Sequence, residues 1–94
     1  MSTAQKSIFI TGAASGLGRE VARYFANVGW FVGLADIDEK GLDETAALLP
    51  KGEYSRHKLD VTDRAQWKKA VAAFAKHTNG HMTVLFNNAG IGSG

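Results

Sequence analysis

The sequence predicts an α/β domain, the first half of a doubly wound parallel sheet, running β-α-β-α-β-α-β with strands in the spatial order 3-2-1-4. Three observations predict it. Short apolar runs alternate with amphipathic stretches in a fixed order along the chain. A glycine-rich segment, Thr11-Gly12-Ala13-Ala14-Ser15-Gly16-Leu17-Gly18, stands where the first run gives way to the first stripe, and an acid, Asp36, closes the second run.

Ile8-Phe9-Ile10 is a continuous apolar run that stops at Thr11-Gly12, as expected of a strand buried on both faces. Leu17, Val21, Tyr24, Phe25 and Val28 follow at the spacing of one helical stripe, with Gly29 placed to end it. Trp30 to Ala35 is the second apolar run. Leu42, Ala46 and Leu49 then mark a second helix, closed by Pro50-Lys51-Gly52. Glu53 to Val61 reads as a strand at the edge of the sheet, because Ser55-Arg56-His57-Lys58 is too polar for an inner position. Asp63 with Gln66 three positions on resembles a capping box, and Trp67, Val71, Phe74 and Thr78 give a third stripe, stopped by Asn79-Gly80. Met82 to Phe86 is the fourth strand.

Composition narrows the function. Ninety-four residues, 45% hydrophobic and 21% charged, suit one globular domain. Eleven Lys and Arg against nine Asp and Glu leave a formal charge of +2, scattered along the chain, so nucleic acid is not an expected partner. The absence of cysteine removes disulfides, thiolate nucleophiles and cysteine-ligated metals. No apolar run approaches the roughly 18 residues of a membrane span, and Met1 to Lys6 lacks the layout of a signal peptide. The expectation is a cytoplasmic protein with no membrane partner.

The glycine segment lies at a strand-to-helix turn, where free backbone N–H groups and the helix dipole can hold a pyrophosphate. Gly12 supplies an unusual backbone conformation, Gly16 lets the chain approach phosphates without a Cβ in the way, Gly18 lets the helix pack close, and Ser15 adds a hydroxyl. Asp36 stands 18 residues after Gly18 and can accept from both hydroxyls of an adenosine ribose; Asp38 and Glu39 read as solvated helix-surface acids. Neither Ile37 nor Ser15 is a cation able to pair with a 2′-phosphate, so NAD is favoured over NADP. Asp60-Val61 ends the third strand, where the carboxylate can accept from an adenine amino group or serve as a cap. Asn87-Asn88-Ala89-Gly90 follows the fourth strand at the switch point, with amides able to tie strand ends together or to meet the ribose. A tight glycine turn without any ligand stays open at this point.

Two other patterns read as incidental. Tyr54 and Lys58 spell Tyr-x-x-x-Lys, but in an extended strand at about 3.3 Å per residue they sit roughly 13 Å apart. His77 and His81 are separated by helix-breaking Asn79-Gly80 and, with His57, read as solvated rather than as metal ligands. Trp67 and Phe74 read as core.

Together, Thr11-Gly-x-x-x-Gly-x-Gly18, Asp36, Asp60-Val61 and Asn87-Asn88-Ala89-Gly90 resemble the short-chain dehydrogenase/reductase family, in order and in approximate spacing. The branch typical of nucleotide-sugar epimerases, with two residues between the first two glycines, fits less well. The resemblance implies a Rossmann-type NAD(P)-binding domain over residues 1–94. It implies an enzyme in which Ser, Tyr and Lys move a proton while hydride passes between a nicotinamide cofactor and an alcohol or carbonyl substrate. It assigns cofactor binding to Gly12, Ser15, Gly16, Leu17, Gly18, Asp36, Asp60, Val61, Asn87, Ala89 and Gly90, and implies a homo-oligomeric parent. The family's catalytic Ser and Tyr-x-x-x-Lys lie beyond the fourth strand. The chain is therefore expected to be an amino-terminal half, truncated after that strand, inactive alone and carrying no catalytic or metal-ligating residue. A non-catalytic dinucleotide-binding module, or a half-domain completed by a partner chain, is the alternative.

Overall fold

The structure is a computed structural model and describes residues 5–89. Four strands, β1 (Ser7–Thr11), β2 (Phe31–Asp36), β3 (Tyr54–Lys58) and β4 (Val84–Asn87), alternate with three helices, α1 (Gly16–Asn27), α2 (Glu39–Ala46) and α3 (Arg64–Thr78). The sheet is parallel throughout, in the order β3-β2-β1-β4, as the alternation predicts. β1 pairs on both sides, Ile10 facing Leu34 of β2 and Phe86 of β4. All five of its residues are accordingly buried, the reason its centre, Ile8-Phe9-Ile10, is a continuous apolar run.

Each face of the sheet carries its own core. Ile8, Ile10, Val32 and Leu34 point toward α1 and α2, where Leu42, Ala46 and Leu49 meet them. Phe9, Phe31 and Ala35 point the other way, toward Ala70 and Phe74 of α3. Gly33 lies under that helix, and a Cβ there would stand 2.5 Å from Phe74 Cδ1 and 2.8 Å from Phe9 Cδ1. The Phe74 ring thus rests directly on the backbone of β2.

The helical stripes need correcting. Leu17, Tyr24 and Val28 of the predicted first stripe are 58, 61 and 53% exposed, whereas Gly18, Ala22 and Ala26 form the buried face. Close approach selects small side chains, four residues apart, over large ones; Val21 and Phe25 pack at its margin. On α3 the buried residues are Ala70 and Phe74, with Val71 exposed and Trp67 and Thr78 half-buried. Helix α2 ends at Ala46, and Leu49 reaches the core from the turn that follows. The fourth strand begins at Val84 rather than Met82.

Asp63 caps α3 as the sequence predicts, its side chain accepting the N–H groups of Ala65 and Gln66, whereas Asp38, expected to be a solvated surface acid, proves to cap α2 by accepting the Gly41 N–H. Gln66 departs from a capping box: its amide donates to Asp63 Oδ2 and its oxygen accepts the Asp60 N–H at 2.8 Å, fastening the end of the β3 connection to α3. Asn79 closes α3 in the left-handed region, at φ 56°. β3 lies at an edge, as its polar sequence predicts, alternating buried Ser55 and His57 with exposed Arg56 and Lys58. His57 is therefore not solvated. It packs against Phe9 and Phe74, with Nε2 2.7 Å from Ser55 Oγ. Among the described residues no helix is long and apolar enough to cross a membrane.

Candidate functional site

The carboxyl ends of β1, β2 and β4 converge with the start of α1. Gly12 leaves β1 at φ 68°, and a Cβ on it would meet Asn88 Nδ2 at 2.7 Å. Gly18 packs beneath the turn, where a Cβ would collide with Gly12 O at 2.0 Å. The chain folds this way because only glycine admits both the left-handed turn and the contact of helix on loop.

Helix α1 differs from the other two at its start. Ser15 takes the N-cap position but its side chain makes no capping hydrogen bond. Among the described residues the N–H groups of Ser15, Gly16, Leu17 and Gly18 have no hydrogen-bond partner. Ser15, Gly16 and Leu17 border a cleft of about 500 Å³, lined also by Gly12, Asp36, Asn88 and Ala89. A smaller hollow of about 100 Å³ adjoins it, lined by Asp36, Ile37, Leu59, Asp60, Val61 and Ala89. Asp36 and Ala89 belong to both.

Asp36 is held in place from two sides. Its Oδ2 accepts the Ala14 N–H and its Oδ1 the Asp38 N–H, each at 3.0 Å. A carboxylate has about four acceptor positions, so two remain for hydroxyls from the cleft. At Asp60, Oδ1 accepts both the hydroxyl of Thr62 at 2.6 Å and its N–H at 2.9 Å. Those bonds, the hydroxyl first, hold the carboxyl below the usual carboxylate range.

The asparagines tie strand ends together. Thr11 Oγ1 donates to Asn87 Oδ1 at 2.7 Å and accepts the Ala89 N–H at 3.1 Å, joining β1 to β4, while Asn88 Nδ2 donates to Gly12 O at 3.4 Å.

Of the residues singled out from sequence, Gly12, Ser15, Gly16, Leu17, Asp36, Asp60, Val61 and Ala89 line the cleft or the hollow. Gly18 and Asn87 do not line it but support it from below and from the side. Gly90 lies outside the described residues. Thr11 and Asn88, present in the glycine and asparagine motifs but not assigned to cofactor binding, shape the site, as do Arg19 and Thr45, which no motif contained.

The incidental patterns stay apart from the cleft. Tyr54 packs on the α1–α2 side, and Lys58 Nζ pairs with Glu39 at 3.6 Å. The His77 ring stacks on Phe31. Among the described residues no group of three or more metal-capable side chains gathers.

Comparison with known proteins agrees with this geometry. A family model described as short chain dehydrogenase matches residues 6–94. Meso-2,3-butanediol dehydrogenase of Serratia marcescens is 40% identical over 86 residues, which is 92% of this chain and 34% of the relative. The chain thus spans about a third of the length of the curated relatives it matches. A short-chain dehydrogenase/reductase from Burkholderia phymatum, solved with NAD, superposes with a TM-score of 0.80 at 34% identity, covering 87% of this chain and 30% of that one. A variant of actinorhodin polyketide ketoreductase, solved with NADPH, gives 0.83 at 32% identity, covering 94% of this chain and 34% of that one.

Proposed function

The chain belongs to the short-chain dehydrogenase family, and from that premise we propose that it forms the adenosine-binding half of an NAD-dependent oxidoreductase acting on a small alcohol or carbonyl compound. One observation carries the reading: a helix N-terminus without a side-chain cap and the Asp36 carboxylate border the same cleft. Free N–H groups and the helix dipole both favour an anion there. A carboxylate nearby accepts from hydroxyls. A nucleoside diphosphate presents those two groups, pyrophosphate and ribose diol, side by side.

The cradle fits such a group. No atom lies within 4 Å of where a Cβ on Gly16 would stand, so the backbone is open to close approach. Ser15, Gly16 and Leu17 would hold the pyrophosphate, Asp36 the ribose hydroxyls, and the hollow beside Ile37, Asp60 and Val61 the adenine. When bound, a nicotinamide cofactor supplies hydride exchange with an alcohol or carbonyl carbon. The residues of this chain bind and orient. Proton transfer is assigned to none of them, since Tyr54 and Lys58 stand on β3 outside the cleft.

The preference for NAD rests on Asp36 with Ile37 and Ser15 beside it. A 2′-phosphate would bring its charge toward that carboxylate, and among the described residues no cation lines the cleft or the hollow. Calorimetric titration tests the reading: ADP-ribose should bind nearly as tightly as NAD, and NADP about tenfold or more weakly, a difference of about 1.4 kcal/mol. No binding of ADP-ribose at millimolar concentration overturns it.

A further inference from the structure

Arg19 stands in the first turn of α1, where the helix dipole disfavours a cation. Its acid partner, Glu44 at 3.2 Å, is 56% exposed, and an exposed ion pair contributes too little to account for that placement. The guanidinium has other work. Its Nη2 donates to Ala14 O and, at 3.4 Å, to Gly41 O, while Nε donates to Thr45 Oγ1 at 2.9 Å. Thr45, fully buried on α2, donates its hydroxyl proton in turn to Ala13 O at 2.7 Å.

Two consecutive loop carbonyls are thus fixed by side chains, Ala13 O from α2 and Ala14 O from α1. The matching N–H groups are fixed from the sheet, Ala13 N–H to Ala35 O at 3.1 Å and Ala14 N–H to Asp36 Oδ2 at 3.0 Å. Every backbone polar group of Ala13-Ala14 is spoken for, directly ahead of the Ser15 to Gly18 N–H groups that have no partner among the described residues.

We propose that Arg19 and Thr45 are positioning residues that preset the loop so those N–H groups meet a pyrophosphate without rearrangement. Resting on the cofactor reading above, this names a regulator of affinity remote from the ligand, because a loop already ordered loses less freedom on binding. The two residues touch neither ribose nor base sites.

The test compares ADP-ribose, which carries the pyrophosphate, with adenosine, which does not, each followed by NMR titration of the protein. Arg19→Lys keeps the charge but loses the planar fork of donors, and Thr45→Val removes the hydroxyl. Both should weaken ADP-ribose about ten- to a hundredfold, or about 1.4 to 2.8 kcal/mol, and leave adenosine within about twofold. Thr45→Ser should restore wild-type binding. Equal losses for both ligands, or no loss for either, overturn the proposal, and full rescue by Arg19→Lys would replace positioning with simple charge. Should Thr45→Val fail to fold, Arg19, whose side chain is 25% exposed, carries the test alone. Wild-type protein that binds neither ligand sinks the cofactor reading itself, a result distinct from a wild type that binds and a variant that does not care.

Discussion

The carboxylate of Asp36 accepts the backbone N–H of Ala14 at 3.0 Å, so the residue closing β2 braces the loop that leaves β1. In the proposed cofactor site, the side chain that would accept from the ribose hydroxyls also shapes the loop after β1. Asp36→Ala combined with Ile37→Arg removes the repulsion toward a 2′-phosphate and supplies a planar cation suited to it. The order of affinities should reverse toward NADP, by about ten- to a hundredfold relative to wild type. Because the brace is lost too, the double variant should bind NADP more weakly than wild type binds NAD. Asp36→Asn, which keeps one acceptor for Ala14, should retain more total affinity. An unchanged preference for NAD in the double variant would mean that cofactor choice lies elsewhere.

His57 makes stability pH-dependent. Burial first, and the nearby His77 second, push its pKa down to about 4 from 6.5. The unfolded chain titrates near 6.5 and so binds a proton that the folded chain refuses between those two values. Stability is full above about pH 6.5 and falls as the pH drops toward 4. At about 1.4 kcal/mol per pKa unit, reduced for solvent reaching the ring through the cleft beside Lys69, the loss should be about 1 to 3 kcal/mol. Urea unfolding at pH 7 and pH 4.5 measures it. The slope should largely vanish in His57→Leu, and an equal slope there would assign the effect to another group.

Gly18→Ala and Gly16→Ala separate packing from conformation. The new Cβ at Gly18 would stand 2.0 Å from Gly12 O, a backbone atom that cannot swing aside. The cost should reach the upper part of the overpacking range, about 3 kcal/mol. At Gly16 nothing lies within 4 Å, and the cost is that of an L-residue at φ 55°, about 1 to 2 kcal/mol. Denaturation midpoints give the order, and a reversed order would refute the close contact of α1 on the loop.

The two edges of the sheet are unlike. β3 presents Arg56 and Lys58, charges that discourage pairing, whereas β4 presents Val84 and Leu85, 38 and 50% exposed. The 94-residue chain should therefore self-associate through β4, and Leu85→Lys should reduce it. Sedimentation across a concentration series reads the difference. A wild-type monomer at high concentration, with slow amide exchange across Thr83 to Phe86, would contradict it.

What the sequence made legible was local. Strand order followed from apolar runs and their alternation with helices, and the cleft from glycines and an acid at strand ends. The buried face of α1 escaped because periodicity weights large side chains, whereas the contact is made by Gly18, Ala22 and Ala26, whose virtue is lack of bulk. His57 escaped because a polar strand reads as solvated, and only packing shows that alternate residues of β3 lie under α3. Arg19 and Thr45 escaped for a different reason. They are 26 residues apart, and nothing in their own surroundings announces that they meet.

Gly33 carries a consequence beyond its own strand. Phe74 seats α3 on bare backbone there, and the first turn of the same helix holds the Asp60 N–H through Gln66. One hydrogen atom in the middle of the sheet thus sets the height at which α3 rides, and with it the wall of the hollow at Asp60 and Val61. A methyl group in its place would act as a shim under one end of a rigid rod, tilting the floor on which an adenine would lie without altering any residue that could touch it.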